Sequence, residues 1–179
     1  MDPGPSIIIL LDIYRSLFSA ASRRMEDYLE FDRLDPFTRV WFEGQSALDL
    51  PADRQLCLDV LAERFPADDF RLRWLMDRAD RVIGDVEQTI FARPFDYPWQ
   101  LAKWRMVRIA RALGGQRPYK EVIDDWFQSP GLRAFFYGFP SYGGQTYDSV
   151  APGALLIPFL MVSRGVFYPR GGVAAIPDA

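Results

Sequence analysis

Residues Phe127–Gly172 read FQSPGLRAFFYGFPSYGGQTYDSVAPGALLIPFLMVSRGVFYPRGG, and three kinds of local structure follow one another along this stretch. A Ser-Pro pair precedes residues 131–137 and is typical of a helix start. The glycine-rich run 138–144 predicts a loop, and the apolar run 151–163 predicts a helix. The run GVFYPR at 165–170, with two glycines after it, predicts a strand that ends in a turn.

Upstream of this stretch, helical spacing of apolar residues predicts helices over 53–64, from Asp68 or Asp69 to about 91, over 99–113 and over 119–127. The second helix has the clearest stripe, formed by Leu75, Ala79, Val82, Val86 and Ile90 and widened by Trp74 and Ile83. Asp53 is the predicted cap of the first helix, which would bury Leu56, Val60 and Leu61. Pro94 and Pro98 indicate a loop between the second and third helices.

The amino-terminal third has a different character. Residues 7–11 are apolar and β-branched, which fits a short strand or the start of a helix. Asp12 is a candidate cap for a helix that would continue to about residue 29, with a break near Ser22. The runs 38–42 and 46–50 flank a glycine-containing separator and predict a hairpin. Together these patterns predict an α+β fold, with a small antiparallel sheet and a larger helical section.

Composition excludes several classes of protein. With 21 basic and 24 acidic residues, a net charge of −3 argues against a nucleic-acid-binding protein. The chain has no histidine and one cysteine, Cys57, so a histidine triad and a Cys/His metal site are excluded. We expect Cys57 to be a buried structural thiol. No run of apolar residues reaches the roughly 18 that a membrane-spanning helix needs.

Motifs for catalysis are absent from the sequence. It contains no GxGxxG, no phosphate-binding P-loop and no HExxH. The acidic pairs Asp68-Asp69 and Asp124-Asp125 are adjacent on predicted helices and point to different faces, so we expect helix capping and solvation from them. No general base and no metal ligand is assigned.

Aromatic residues crowd the segment after residue 134. Phe135, Phe136, Tyr137, Phe139 and Tyr142 alternate with glycines that allow close approach of the backbone. Such a set suits a pocket for a long apolar or flat ligand. Core packing within a glycine-rich turn accounts for the same composition, so both interpretations stay open.

The order of these motifs resembles the phytoene desaturase family, the FAD-dependent carotenoid desaturases of the flavin amine oxidase superfamily. The resemblance rests on FQSPGLRAFFYGFPSYGG, an apolar helix and GVFYPRGG, and on DPGPS, RRMEDYLEFDRLDPFTRVWFEG and LDLPAD in the first third. Residues 63–117 match in helical character alone. Gln145 and Thr146 stand where the family often has a proline, and Val173 where it often has Met or Thr.

The resemblance implies a set of site residues. Gly171 and Gly172 would lie against FAD, and Tyr168 and Pro169 would set that turn. Tyr137 and the four other crowded aromatics, Phe135, Phe136, Phe139 and Tyr142, would line an apolar tunnel for an isoprenoid or carotenoid. Arg133 and Arg164 are the nearest polar candidates, although exposed arginines without a role in the site are the simpler interpretation.

The family resemblance also implies partners. Residues 1–179 correspond to the substrate-binding domain, and the FAD-binding motif would lie in a flavin-binding domain outside this sequence. We therefore expect a fragment that is inactive alone, cytoplasmic, and in peripheral contact with the membrane. The alternatives are a non-enzymatic module for apolar ligands or membrane surfaces, and a flavin amine-oxidase-like enzyme. If the chain is such a fragment, residues 7–11 and 165–170 would be unsupported strands that expose apolar faces.

Overall fold

A computed structural model describes residues 7–44, 46–91, 104–150 and 152–179. The chain divides into two compact units, residues 1–57 with 160–179 and residues 58–159. Helices predominate and strands are few, so the predicted α+β class with a small antiparallel sheet is confirmed. The assignment of residues 1–179 to one substrate-binding domain stays a prediction.

The first unit contains two pairs of antiparallel strands. Strands β2 (Thr38–Val40) and β3 (Leu48–Leu50) form the predicted hairpin, with Gly44 in the left-handed region at φ 68°. Strand β1 (Phe31–Arg33) pairs with β4 (Phe167–Pro169), a partner that lies more than a hundred residues away along the chain.

The segment expected to expose an apolar strand is covered instead. Ile8 forms an isolated bridge with Phe167. Ile8 and Val166 are both buried. The expectation of exposed apolar faces at residues 7–11 and 165–170 is therefore wrong within this unit, because the two segments cover each other.

Helix α1 (Leu11–Ala20) is shorter than predicted. Leu10 occupies the cap position, so Asp12 lies in the first helical turn rather than at the cap. Ser22 has φ 56°, which produces the predicted break. Beyond it, only a 3₁₀ turn over Met25–Asp27 follows, so the predicted continuation of the helix to residue 29 is wrong.

Helix α2 (Arg54–Arg64) starts as predicted, because the Asp53 carboxylate accepts the Leu56 N–H at 2.9 Å. The predicted burial of Leu61 is confirmed, but the rest of the buried face differs from the prediction. Cys57 and Leu58 are buried, whereas Leu56 is 57% exposed. The predicted burial of Cys57 is confirmed, and this burial raises the pKa of its thiol to about 12.

Helix α3 (Asp69–Val86) continues into a π-helical turn over Glu87–Phe91. Its predicted stripe is confirmed, since Leu75, Ala79, Val82, Ile83 and Val86 are all buried. Trp74, expected to widen the stripe, lies on the exposed side. The Ile90 side chain, the Pro94–Pro98 loop and the predicted helix start at Trp99 lie outside the described residues.

The remaining helices are α4 (Trp104–Ala112), α5 (Tyr119–Trp126), α6 (Pro130–Tyr137) and α7 (Leu156–Arg164). The predicted loop after α6 is a 3₁₀ turn over Phe139–Gly143. A second 3₁₀ turn over Pro152–Leu155 precedes α7. These elements place the crowded aromatics on one helix and the turn that follows it.

Candidate functional site

The crowded aromatics form one cluster in the second unit. We define the aromatic cluster as Phe127, Phe135, Phe136, Phe139 and Tyr142. The Phe136 ring stacks on Phe127 with centroids 4.7 Å apart. Phe135 meets the edges of Phe136 at 5.3 Å and Phe139 at 5.0 Å. Tyr142 stacks on Phe139 at 6.1 Å. The sequence therefore brings four of its five predicted substrate-binding residues together.

Burial separates this cluster into a core side and an accessible side. Phe127, Phe136 and Phe139 are buried, so their packing belongs to the core of the unit. Phe135 is half-buried, and Tyr142 is 55% exposed. Only Phe135 and Tyr142 thus present ring surface to a ligand, and the binding role of the set stays a prediction.

Buried hydrogen bonds fix helix α6 beneath the cluster. The hydroxyl of Tyr119 donates to the Phe136 carbonyl at 2.7 Å. Burial raises the pKa of Tyr119, so this phenol stays a neutral donor. At the start of α6, the buried Asp68 carboxylate accepts the N–H groups of Gln128 at 2.7 Å and Ser129 at 2.8 Å. Ser129 occupies the predicted cap position, but Asp68 supplies the capping oxygens.

Tyr137, the fifth predicted residue, belongs to a polar network beside the cluster. Its ring stacks on Tyr147 at 4.5 Å, and its hydroxyl donates to Asp124. Lys120 Nζ lies 2.6 Å from the other Asp124 oxygen. Hydrogen bonds from Lys120 and Tyr137 hold the pKa of Asp124 below its ordinary value. Burial and the Asp124 bond raise that of Tyr137.

These pKa directions limit the chemistry of the network. Asp124 is a partnered carboxylate and Tyr137 a neutral phenol, so neither is poised to accept a proton near neutral pH. The Asp124-Asp125 pair is not a dyad, since Asp125 pairs with Arg117 at 2.5 Å instead. The polar network of Lys120, Asp124 and Tyr137 therefore has a structural role.

The two arginine candidates have different surroundings. Arg133 Nε donates to the Phe127 carbonyl at 2.6 Å, and its Nη1 lies 3.8 Å from Asp124. Arg133 thus fixes the backbone at Phe127, whose ring belongs to the aromatic cluster. Arg164 is exposed at the end of α7 in the first unit.

The glycine turn predicted to contact the cofactor follows β4 in the first unit. Gly171 and Gly172 both have φ 87°, a conformation that side chains disfavour. The Gly172 N–H donates to the Pro169 carbonyl at 3.1 Å. Arg170 connects the turn to the β1 region by ion pairs with Glu30 at 2.6 Å and Asp32 at 2.8 Å.

Lack of room for a side chain does not explain the glycine at position 171. A Cβ built there would meet only the Ala175 Cβ within 4 Å, at an ordinary contact distance of 3.7 Å. Gly171 is exposed, Tyr168 is half-buried and Pro169 is buried. Backbone is therefore exposed at Gly171, and the φ angle alone already selects glycine there.

One feature escaped the sequence patterns: an open groove of about 570 Å³ between α3 and α4. Its polar lining consists of three arginines, two aspartates and one glutamine: Arg78, Arg81, Arg108, Asp80, Asp85 and Gln88. The available signal was the outward face of α3, where charged residues recur every three or four positions. In the part of the chain that the structure describes, no cluster of His, Cys, Asp and Glu could hold a metal ion.

Comparison with known proteins finds no family model that matches the chain. The chain is 31% identical over 183 residues to a phytoene dehydrogenase of Streptomyces griseus, covering all of this chain and 35% of that protein. It is 31% identical to a zeta-carotene-forming phytoene desaturase of Myxococcus xanthus over 99% of this chain and 34% of that protein.

A 4,4'-diapolycopene oxygenase of a Methylomonas species is 26% identical, over 99% of this chain and 36% of its own length. The chain thus spans about a third of the length of the curated relatives it matches. None of the helices in the described ranges combines the length and the apolarity that a bilayer span needs.

Proposed function

Because the chain is homologous along its whole length to carotenoid desaturases and oxygenases, we propose that it forms the carotenoid-binding part of a FAD-dependent oxidoreductase. The observation that carries the proposal is the similarity over the whole chain, which includes both the aromatic segment and the GVFYPRGG turn. The flavin-binding domain would be its partner, and carotenoid or isoprenoid its substrate class. We propose a cytoplasmic protein in peripheral contact with the membrane.

The aromatic cluster supplies the proposed binding surface. Phe135 and Tyr142 offer ring faces to an apolar chain, and the buried rings behind them keep those faces in a fixed orientation. A polyene is long, flat and without hydrogen-bonding groups, so aromatic contact and exclusion of water are the interactions available to hold it. This chemistry favours a hydrocarbon over an amine.

The glycine turn supplies the proposed contact with FAD. Exposed backbone at Gly171 fits approach by the flat isoalloxazine ring, and Tyr168, Pro169 and Gly172 hold the turn in place. When bound, FAD would supply the hydride acceptor for a desaturation in which a proton leaves the adjacent carbon and a C=C bond forms. The residues of this chain bind and orient the hydrocarbon; none of the polar side chains beside the cluster is proposed as the base.

Binding of phytoene and of lycopene to the purified chain tests the proposal, with quenching of protein fluorescence as the readout. We expect Phe135→Ala and Tyr142→Ala to weaken binding by about tenfold together, since each removes exposed aromatic contact. Trp41→Ala is the matched control, because Trp41 is an exposed aromatic of the other unit. Absence of binding, or equal losses in all three variants, would contradict the proposed surface.

The same preparation separates enzyme from binding module. Supplied with FAD and phytoene, the chain is expected to bind the hydrocarbon without converting it, and conversion should require the flavin-binding domain in the same protein. Conversion of phytoene by the 179-residue chain alone would contradict the proposal that conversion requires the flavin-binding domain. Binding without conversion in a protein that includes the flavin-binding domain would favour the non-enzymatic module.

A further inference from the structure

Helix α3 carries an exposed stripe along its outward side. The stripe consists of residues spaced alternately by four and three positions, the spacing that keeps side chains in line where one helix packs along another. We call these residues the α3 seam: Phe70, Trp74, Asp77, Arg81 and Gly84. Phe70 is 83% exposed, and Trp74, Asp77 and Arg81 are also exposed. The seam thus lies opposite the buried stripe of α3, outside the core of its unit.

The amino-terminal half of the seam projects two aromatic rings. The guanidinium of Arg71 lies 5.5 Å from the centre of the Trp74 ring, and that of Arg78 lies 5.4 Å from it. These contacts hold the indole in place, and an ordered ring loses little conformational entropy when a partner covers it. Phe70, one turn earlier, extends the apolar surface on the same side of α3.

The carboxyl-terminal half of the seam is recessed. Gly84 lies inside α3, where glycine weakens a helix. A Cβ at this position would meet nothing within 4 Å, and its φ lies outside the left-handed region. Neither packing nor conformation within the chain therefore requires a glycine here. Gly84 lines the open groove between α3 and α4, together with Arg81 and Gln88, so its missing side chain leaves room there for a group from outside.

The charges of α3 alternate in sign along the helix. The outward side carries both arginines and aspartates, so it selects neither an anionic nor a cationic occupant. Such a surface can complement itself when two copies of the helix run antiparallel around a twofold axis. With that axis level with Ala79, every arginine of α3 lies level with an acidic residue of the second copy. The pairs are Arg71 with Glu87, Arg73 with Asp85, Arg78 with Asp80 and Arg81 with Asp77.

The same axis brings the aromatic half of one copy to the recessed half of the other. Trp74 lies level with Gly84 of the second copy, and Phe70 lies level with Gln88. Gly84 and Gln88 both line the groove, so the two rings would enter it at the point where Gly84 leaves space. Because the arrangement is symmetric, each copy inserts its rings and also receives those of the other.

We infer that two copies of the chain associate through the α3 seam, with their α3 helices antiparallel. Trp74 of each copy packs over Gly84 of the other, and Asp77 pairs with Arg81 near the twofold axis. A second copy is the occupant because one register matches the surface to itself in both charge and shape. A single pair of helices forms a small interface, so we expect a dissociation constant in the micromolar range. This association is separate from carotenoid binding, since the aromatic cluster does not include the seam.

Sedimentation equilibrium of the 179-residue chain across micromolar concentrations tests the inference. We expect a monomer–dimer equilibrium, and a chain that stays monomeric throughout would overturn the inference. Gly84→Leu should weaken the dimer at least tenfold, since the new side chain occupies the space for Trp74. The same variant should unfold at the temperature of the wild type or above it, because leucine is the better helix former and meets open space in the monomer. A Gly84→Leu chain that dimerises like the wild type would contradict the proposed register.

Charge reversal tests the register independently of the glycine. Asp77→Arg and Arg81→Asp each place like charges opposite one another, so each variant alone should dimerise at least tenfold more weakly. An equimolar mixture of the two variants should restore association, because each chain supplies the charge that the other lacks. The double variant Asp77→Arg/Arg81→Asp should associate like the wild type. Failure of the two single variants to form a mixed dimer would overturn the antiparallel pairing.

Tryptophan substitutions supply a matched control. Trp74→Ala should weaken the dimer about tenfold, because an aromatic residue at the centre of an interface contributes strongly to binding. Trp41 is also exposed but lies in the other unit, so Trp41→Ala should leave the dimer unchanged. Circular dichroism shows whether each variant is folded. Equal weakening by the two substitutions would contradict the assignment of the interface to the α3 seam.

Discussion

The carboxylate of Asp68 lies 2.8 Å from the backbone nitrogen of Ser129, sixty-one residues further along the chain. Its other oxygen accepts the N–H of Gln128 at 2.7 Å, and the Asp68 side chain is 1% exposed. One buried carboxylate therefore connects the start of α3 to the start of α6, the helix that carries the aromatic cluster. A negative charge at the amino-terminal end of α6 is also favourable, because it lies beside the positive end of the helix dipole.

Replacing Asp68 should destabilise the second unit strongly. Asp68→Ala removes two hydrogen bonds to a charged acceptor and leaves two N–H groups without a partner, so we expect a loss of about 3 kcal/mol or more in the free energy of unfolding. Urea unfolding followed by circular dichroism measures it. Asp53→Ala, which removes the cap of the exposed end of α2, should cost only about 1 kcal/mol. Equal losses of stability in the two variants would show that the buried hydrogen bonds of Asp68 stabilise the chain no more than an exposed helix cap does.

The aromatic cluster should separate into residues for stability and residues for binding. Phe136 is buried and stacked on Phe127, so Phe136→Ala should cost about 3–5 kcal/mol. Tyr142→Ala should cost under about 1 kcal/mol, because that ring is largely exposed. Thermal unfolding of both variants checks this division. A Tyr142→Ala chain as unstable as Phe136→Ala would mean that Tyr142 belongs to the core.

The polar network predicts a dependence of stability on acid. Bonds from Lys120 and Tyr137 lower the pKa of Asp124 in the folded chain, so its contribution is complete above the unfolded pKa of about 3.9 and is lost as the pH falls through the lower folded value. Asp124→Asn should cost about 1 kcal/mol at pH 7. The difference between the wild type and Asp124→Asn should narrow on moving from pH 6 to pH 3. A constant difference across that range would show that the charge of Asp124 does not matter.

The glycine turn should tolerate little substitution. At Gly171, φ is 87°, so Gly171→Ala should cost about 1–2 kcal/mol through backbone strain alone. Gly153 is a matched control, since a Cβ there would meet nothing within 4 Å and its φ lies outside the left-handed region. Gly153→Ala should be neutral within about 0.5 kcal/mol. Equal stability of the two alanine variants, measured by thermal unfolding, would contradict the strain argument.

The sequence correctly predicted those features whose interacting residues lie close together along the chain. The hairpin of β2 and β3 followed from β-favouring runs around Gly44, because the turn and both strands lie within a few residues of one another. The stripe of α3 followed from period 3.6 because one face of a long helix must be buried. Asp53 was recognised as a cap because its partner N–H belongs to Leu56, three residues away.

Tertiary contacts account for what the sequence did not reveal. Asp68 was expected to cap its own helix, yet its partners Gln128 and Ser129 are remote in sequence. Leu56 was expected in the core, but the side of α2 that carries Cys57 is the buried one, a choice made by the packing of neighbouring elements rather than by hydropathy. For the candidate site, composition identified four members of the aromatic cluster but not Phe127. It also could not separate buried Phe136 from exposed Tyr142.

The pairing of β1 with β4 has a consequence for biosynthesis. Asp32 faces Tyr168 across this sheet, so the first unit cannot be completed until residues 167–169 have left the ribosome. The second unit is contiguous, from Leu58 to Phe159, and all of its residues emerge earlier. Vectorial synthesis therefore favours a nascent chain in which residues 58–159 fold first while the amino-terminal segment waits for its partner strand.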